Sequence, residues 1–343
     1  MKAVIINEHG SADVLQYTDN FPTPTPADNE VLLKVHAVSL NRVDTVVRKG
    51  YPGQTIPMPH ILGGDMAGVV AQSAKNSDKF KVGERVVVYP VKLPEERDPH
   101  YGENTFLNDG WQFFGMQRHG AYAEYIAVPE ENLVKISDNV SFEEAAALPI
   151  AGLTAYHAIF GTIDLKPDDV FFIWGGSGGL GTFAVQLAKQ KGAKVIATVG
   201  KNEKKSVLES LGADLVLNHH EDDVVAETRK FAPKGVDLLI DYVGPATFDK
   251  SFSLVRKNGT IVACGMLTGM EVKLHYQQFY FRHLNLRGIF LGPMNEFVEF
   301  VEMKNQGRIK SHIHQVFDLK DAADAHRLLE SGNYVGKIVL KIS

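Results

Sequence analysis

The stretch "DVFFIWGGSGGLGT", residues 169–182, restricts the architecture more than any other part of the chain. A short apolar run ends on a glycine loop, and the loop opens a helical run at 179–191. Gly176, Gly178 and Gly181 stand in the spacing Gly-x-Gly-x-x-Gly. One glycine makes the tight turn, one lets the backbone approach a pyrophosphate, and one lets the helix pack close to the strand. The first amides of that helix have no intrahelical acceptor and turn a partial positive charge toward a phosphate. A glycine-rich turn without a ligand is the bland alternative. The strand before the loop and the helix behind it argue for a dinucleotide, with Gly176, Ser177, Gly178, Gly179, Leu180 and Gly181 as candidate cofactor residues.

The surrounding rhythm agrees. Strand runs at 169–175, 193–200, 213–218, 236–244, 259–265 and 284–292 alternate with helical runs near 179–191, 201–211, 221–231 and 246–257. Strands alternating with helices imply right-handed crossovers and a parallel sheet, and six strands fit the doubly wound dinucleotide-binding layout. Residues 1–150 read differently, as short β segments such as "EVLLKVHAVSL" and "ERVVVYP" broken by Gly and Pro. "PTPTP" (22–26) lacks the donors of a central strand. The tail adds a helix at 294–306, a strand at 312–319, a helix at 320–331 and a strand at 336–342, more than a six-stranded unit needs. The expected fold class is α/β: a β-rich domain over 1–150 completed by 293–343, and a doubly wound parallel sheet over 151–292.

With 343 residues the chain is long enough for two such domains, and its 44% apolar and 22% charged content is that of a globular protein. A net charge of −5 argues against nucleic acid as a partner. No apolar run approaches the roughly 18 residues of a membrane helix. "MKAVIINEHG" does not read as a secretory signal. The single cysteine, Cys264, excludes an intramolecular disulfide and any Cys-rich zinc site, and a cytoplasmic location is the expectation.

The end of the second strand bears on which nicotinamide cofactor binds. NAD-binding chains of this design carry Asp or Glu roughly 20 residues past the first glycine, on the ribose hydroxyls. Here the sequence reads "ATVGKNEKK", so Val199 and Gly200 stand where the acid belongs, followed by Lys201, Lys204 and Lys205. Lysines attract a 2′-phosphate that a carboxylate repels, so NADPH is the expected cofactor, with Lys204 as the phosphate contact. Glu203 is the residue that opposes this. Gly200, Lys201, Val243 and Gly265 join the cofactor set.

Several stretches together carry a family resemblance: "LNRVDTVVRKGYPG" (40–53), "ILGGDMAGVV" (61–70), "VGERVVV" (82–88), "GAYAEYIAVP" (120–129), "EEAAALPIAGLTAYHAI" (143–159), "GGSGGLG" (175–181) and "GKIVL". Over nearly its full length the chain resembles a medium-chain dehydrogenase/reductase, most of all the quinone oxidoreductase branch. The resemblance implies a GroES-like catalytic domain and a Rossmann cofactor domain. It also implies a departure. The zinc branch of the family has a Cys, a His-Glu pair and a third ligand where this chain has Asn41, Gly64-Asp65 and Gly152. Catalytic zinc takes three protein ligands as a rule, and Asp65 by itself does not supply them. His60 and His157 have no spacing that demands a metal, so no metal is expected. The segment 91–119 has the length of a zinc-bearing lobe but no cysteine. Trp111, Phe113, Phe114 and Met116 read as an apolar cluster in its place, with a substrate pocket or subunit contact as the alternative.

Without a Lewis acid, stabilising an alkoxide is difficult, whereas hydride addition to a conjugated carbon needs only hydrogen-bond donors for the developing enolate or hydroquinone anion. The glycines at 63–64 read as room for a flat substrate. By resemblance, Asn41 and Tyr51 border the reacting ring, Asp44 orients neighbours, Thr154 touches the nicotinamide side of the cofactor, and Lys337 approaches a phosphate. His219-His220 follows the third strand and reads equally as cofactor contact or plain loop. Three functions stay open: a metal-free NADPH-dependent quinone or enone reductase, an alcohol dehydrogenase or carbonyl reductase, and an NADPH-binding sensor with little catalysis. A small-molecule substrate and a homodimer or homotetramer are expected, the latter through the strand at 284–292.

Overall fold

The apolar run Val170–Ile173 becomes the centre of a six-stranded sheet. A computed structural model describes every residue except Asn76, Asp78, Glu103 and Ser343. In space the strands run Leu215–Asn218, Lys194–Val199, Val170–Ile173, Val236–Asp241, Val255–Ala263 and Asn285–Gly288, all parallel. Numbered along the chain this is the order 3-2-1-4-5-6 of the doubly wound fold. Phe172, Trp174, Ile196, Leu239, Phe252 and Ile261 share one core cluster. Trp174 donates its indole N–H to Ser251 Oγ at 2.7 Å, so its one polar atom is satisfied inside that core. The last strand is an edge, and all four of its residues are exposed. These elements lie in one compact unit, residues 152–292.

The other unit comprises residues 1–151 and 293–343. Its main sheet has seven strands and is organised by Glu30–Ser39, which pairs antiparallel with Asp65–Gln72, Tyr125–Pro129 and Lys337–Lys341. The strand is long, ten residues, and its neighbours approach so closely that Gly68 has no room for a side chain. A Cβ there would lie 2.1 Å from Lys34 O. The chain's tail supplies two strands of this sheet: Lys337–Lys341 lies beside Glu30–Ser39, and Ile313–Asp318 pairs parallel with it.

The segment 91–119 carries a two-stranded ribbon, Val91–Lys92 with Gln112–Phe113. Phe113, Phe114 and Met116 are buried, and Trp111 meets Phe106 edge-on at 5.6 Å. The buried Asn132 holds the start of the segment by donating to Tyr89 O and Val91 O.

Some boundaries differ from expectation for local reasons. The helix expected from 221 starts at Val224, because Asp223 caps it by accepting from Ala226 N at 3.1 Å. The strand expected from 259 already begins at Val255, with an irregular register against Val236–Asp241. Among the described residues, no helix is long and apolar enough to cross a membrane.

Candidate active site

In the first unit, "LNRVD" ends the strand Glu30–Ser39 and starts the helix Arg42–Lys49. Asn41 is the N-cap, and Asp44 Oδ2 accepts from Asn41 N at 2.7 Å, satisfying an amide that the helix start leaves without an acceptor. Asp65, at the head of Asp65–Gln72, is fully buried. Its Oδ1 accepts from Ile150 N at 2.8 Å, and its Oδ2 from Asn41 Nδ2 at 2.7 Å and Lys337 Nζ at 3.2 Å. Lys337 is only 3% exposed and donates also to Leu40 O (2.9 Å) and Asn41 Oδ1 (2.7 Å), so all three ammonium hydrogens have acceptors.

Two buried carboxyl groups thus lie in the field of one buried ammonium, which contacts Asp65 directly. Burial pushes the Asp44 carboxyl up to about 7, and the charge of Asp65 adds to the rise. The N–H groups of Asn41 and Gly63 and the charge of Lys337 oppose it. Burial raises Asp65 as well, against Lys337, Asn41 and the Ile150 amide. With the ammonium in direct contact, Asp65 is the better place for the negative charge and Asp44 the better place for a proton. A second buried chain lies in the same unit. Arg48, with no exposure, donates to His326 Nδ1 at 3.0 Å and to Glu330 at 2.7 Å. Burial and Arg48 push His326 down to about 3, so it is neutral. Its Nδ1 accepts from Arg48, so Nε2 carries the proton, 3.0 Å from the Tyr122 hydroxyl.

Three expectations change here. Asn41 is expected to border the reacting ring, but its amide faces Asp65 and, at 3.5 Å, Ser39 O, and its oxygen takes Lys337. Lys337 was expected near a phosphate; its ammonium is enclosed by three internal acceptors. Gly63 and Gly64 were read as open space, yet a Cβ on Gly63 would meet the Tyr122 ring at 2.5 Å and one on Gly64 the Phe113 ring at 2.9 Å. Aromatic side chains fill the volume. Tyr51 follows the helix in a turn, half-buried, with its carbonyl accepting from Gln54 N.

Nor does the donor set fit zinc. Asn41 and Asp65 are occupied by an ammonium that repels a cation, and Gly64 and Gly152 have no donor side chain. His60 packs against His119 with ring centres 5.3 Å apart, and burial pushes it down to about 4. Among the described residues, no three His, Cys, Asp or Glu side chains group to hold a metal ion.

In the second unit the glycine loop is held by its neighbours. Gly175 N donates to Thr198 Oγ1 at 2.9 Å, Gly176 N to Thr198 O at 2.7 Å, and Tyr242 OH to Gly175 O at 2.7 Å. The helix Gly179–Gln190 starts from Gly178 as N-cap. A Cβ on Gly181 would lie 2.3 to 2.5 Å from the backbone of Gly176, so only glycine lets the helix approach the loop this closely. This cradle fits a pyrophosphate, presented to amides at the start of a twelve-residue helix. Gly200 follows the neighbouring strand Lys194–Val199, and a Cβ there would be 3.5 Å from the His219 ring and 3.6 Å from His220. Lys204 is buried, and burial together with Lys201 lowers its pKa while Glu203 opposes. Glu203 is exposed and lies 4.0 Å from Lys201. Lys205 is committed to Asp222 at 3.3 Å. Val243 N donates to Asp241 Oδ1, Gly265 packs on Tyr242, and Thr154 is buried on the turn Leu153–Tyr156. Sequence reasoning missed Thr198, Tyr242, Tyr122, Arg48 and His326. None has a local pattern, and only long-range contacts reveal them.

Comparison with known proteins bears on both units. Residues 27–138 match the alcohol dehydrogenase GroES-like domain, and residues 179–305 match the zinc-binding dehydrogenase family. Quinone oxidoreductase 1 of Escherichia coli strain K12 is 30% identical, over 97% of both chains. The chain belongs to the medium-chain dehydrogenase/reductase superfamily, in its quinone oxidoreductase-like branch. Its fold is therefore the α/β fold with a GroES-like domain and a Rossmann sheet, and members of the superfamily are oxidoreductases that bind a nicotinamide cofactor. Among solved structures, an NAD-dependent alcohol dehydrogenase is 33% identical over the whole of both chains, with a TM-score of 0.95. The quinone oxidoreductase from Coxiella burnetii is 29% identical over 100% and 99%, with a TM-score of 0.82.

Proposed function

We propose that this protein is an NADPH-dependent reductase of quinones or α,β-unsaturated carbonyls that works without a metal. The observation that carries the metal-free half is the Lys337 ammonium bound to Asn41 and Asp65. The NADPH half is supported by the loop after Lys194–Val199, where Gly200, Lys201 and Lys204 replace the usual acid and the nearby Glu203 faces solvent.

A bound nicotinamide supplies the hydride. The glycine loop, Gly176 to Gly181, holds the pyrophosphate, and Lys204, with Lys201, balances the 2′-phosphate. Thr154, Val243 and Gly265 complete the cofactor contacts. In the first unit, Tyr51 is the candidate catalytic residue: its hydroxyl donates to the carbonyl oxygen on which charge collects. Asn41, Asp44 and Lys337 are positioning residues that fix the start of the Arg42–Lys49 helix from which Tyr51 follows. The expected location is cytoplasmic. A second copy of the chain pairs along the exposed edge Asn285–Gly288, flanked by exposed Met266, Tyr280, Phe281 and Phe290. A solution mass of one chain would remove that expectation.

The test is NADPH and NADH oxidation with a panel of quinones and enones, with and without a chelator, for wild type and Lys204→Gln. Chelator-resistant turnover and an NADPH preference that falls by about 10-fold or more in the variant are expected, the scale of one charge-assisted hydrogen bond. Turnover lost to chelator and restored by zinc sinks the metal-free reading. Equal use of NADH by wild type sinks the cofactor assignment. A second reading, an alcohol dehydrogenase or carbonyl reductase, is favoured by the higher structural likeness to an alcohol dehydrogenase. Alcohol oxidation in the same panel would establish it.

A further inference from the structure

A cationic pocket of about 410 Å³ opens on the second unit, lined by Arg229, Lys234, Ser253, Lys257, Gln278 and Arg282. Lys234 leads into Val236–Asp241, and Lys257 lies near the start of Val255–Ala263. The glycine loop follows the far end of Val170–Ile173, and the sheet is parallel, so pocket and loop lie at opposite ends of it. Six residues of strand separate those ends by about 20 Å.

The simplest account of such cations is helix capping. The helices Val224–Phe231, Phe248–Leu254 and Tyr276–Phe281 all end near this pocket. The arginines do serve those ends: Arg229 donates to Ser253 O, and Arg282 to Phe252 O at 2.7 Å and to Val255 O. Yet three helix ends carry together only about 1.5 negative charges at most, against four formal positive ones. No carboxylate lines the pocket, and none of the four cations forms an ion pair among the described residues. Burial first, and the neighbouring charge of Arg229 second, lower the pKa of the half-buried Arg282. Gly235, beside the pocket, has φ +96°, and a Cβ there would meet Leu254 O at 2.6 Å and both Arg229 Nη1 and Arg256 N at 2.8 Å. The arginines are fixed by carbonyls at the base, while Lys234 and Lys257 are exposed and make no hydrogen bond through their ammonium groups among the described residues.

We propose that this pocket binds a small multivalent anion of the phosphate class, at a site separate from the cofactor loop. The guanidinium groups supply fixed, planar donors and the lysines supply mobile charge. This goes beyond the reductase assignment and does not depend on it.

Inorganic pyrophosphate is the probe, titrated calorimetrically into the full-length protein saturated with whichever of NADPH or NADH binds more tightly, so that the glycine loop is filled. Saturable binding is expected, weakened by about 10-fold or more in Lys234→Gln/Lys257→Gln, with cofactor affinity unchanged. Both lysines are exposed and make no structural bond, so the variant folds. No saturable binding up to about 10 mM pyrophosphate overturns the proposal. Equal binding by wild type and variant overturns it as well.

Discussion

Replacing Lys337 with methionine removes the only cation among the described residues in contact with the buried carboxylate of Asp65. Methionine has nearly the volume of the lysine stem, so packing changes little. What changes is hydrogen bonding. Asp65 loses its counter-ion, and Leu40 O and Asn41 Oδ1 lose their donor, all away from water. Breaking a buried pair on one side costs about 3–5 kcal/mol. For a unit of this size each kcal/mol lowers the melting temperature by roughly 2–4 °C, so a fall of about 6–20 °C is expected. Thermal unfolding followed by circular dichroism at pH 7.5 measures it. The deficit shrinks as pH falls, because Asp65 can then take a proton. Lys337→Met/Asp65→Asn removes both charges; the substituted amide oxygen accepts from Ile150 N, and its N–H2 donates to Asn41 Oδ1, whose amide turns over once Lys337 no longer holds it. This double variant recovers at least half of the loss. A single variant within about 1 kcal/mol of wild type, the scale of an exposed pair, refutes the assigned coupling. So does a double variant as unstable as the sum of the two singles.

The remaining expectations concern the same region. The Asp44 carboxyl stands at about 7 in the folded chain against an ordinary 3.8, so the native state holds the proton more tightly. That contribution is fully present below about pH 4 and is lost as pH rises to about 7, worth on the order of 4 kcal/mol. Asp44→Asn keeps the acceptor for Asn41 N and escapes the loss. It should match wild type near pH 4 and exceed it by a few kcal/mol at about pH 8 in guanidinium titrations, and parallel pH profiles for the two proteins would contradict this. Gly64→Ala tests whether the volume beside Asp65 is filled. Its Cβ would lie 2.9 Å from Phe113 and 3.0 Å from Phe114 O, so a loss of about 1–3 kcal/mol is expected, whereas an unchanged melting temperature would mean open space.

Much of the cofactor unit was legible in the sequence because its information is local. Gly176, Gly178 and Gly181 fall within six residues of one strand-to-helix connection, and the strand before it announces itself as a short apolar run. The lysines after Val199 were readable for the same reason: spacing along one strand-to-helix connection fixes where they stand. The helix start at Val224 was misjudged by three residues because Asp223, as a cap, outweighs the acidic run before it.

The candidate active site was legible only as a set of names. The chain by itself determined the residue types Asn41, Gly64 and Asp65, which, as the family resemblance implied, stand where the zinc branch has metal ligands. It did not determine what fills the space instead. Lys337 lies 272 positions from Asp65 and reaches it only because the tail strand Lys337–Lys341 docks beside Glu30–Ser39. Tyr122 meets His326 across 204 positions. A buried charge must find its partner somewhere in the fold, and which partner it finds depends on strand pairing that no local pattern encodes. Tertiary structure therefore decided that the glycines at 63 and 64 are packed against aromatic rings and that Asn41 faces inward. It also decided that an internal ammonium holds the site together.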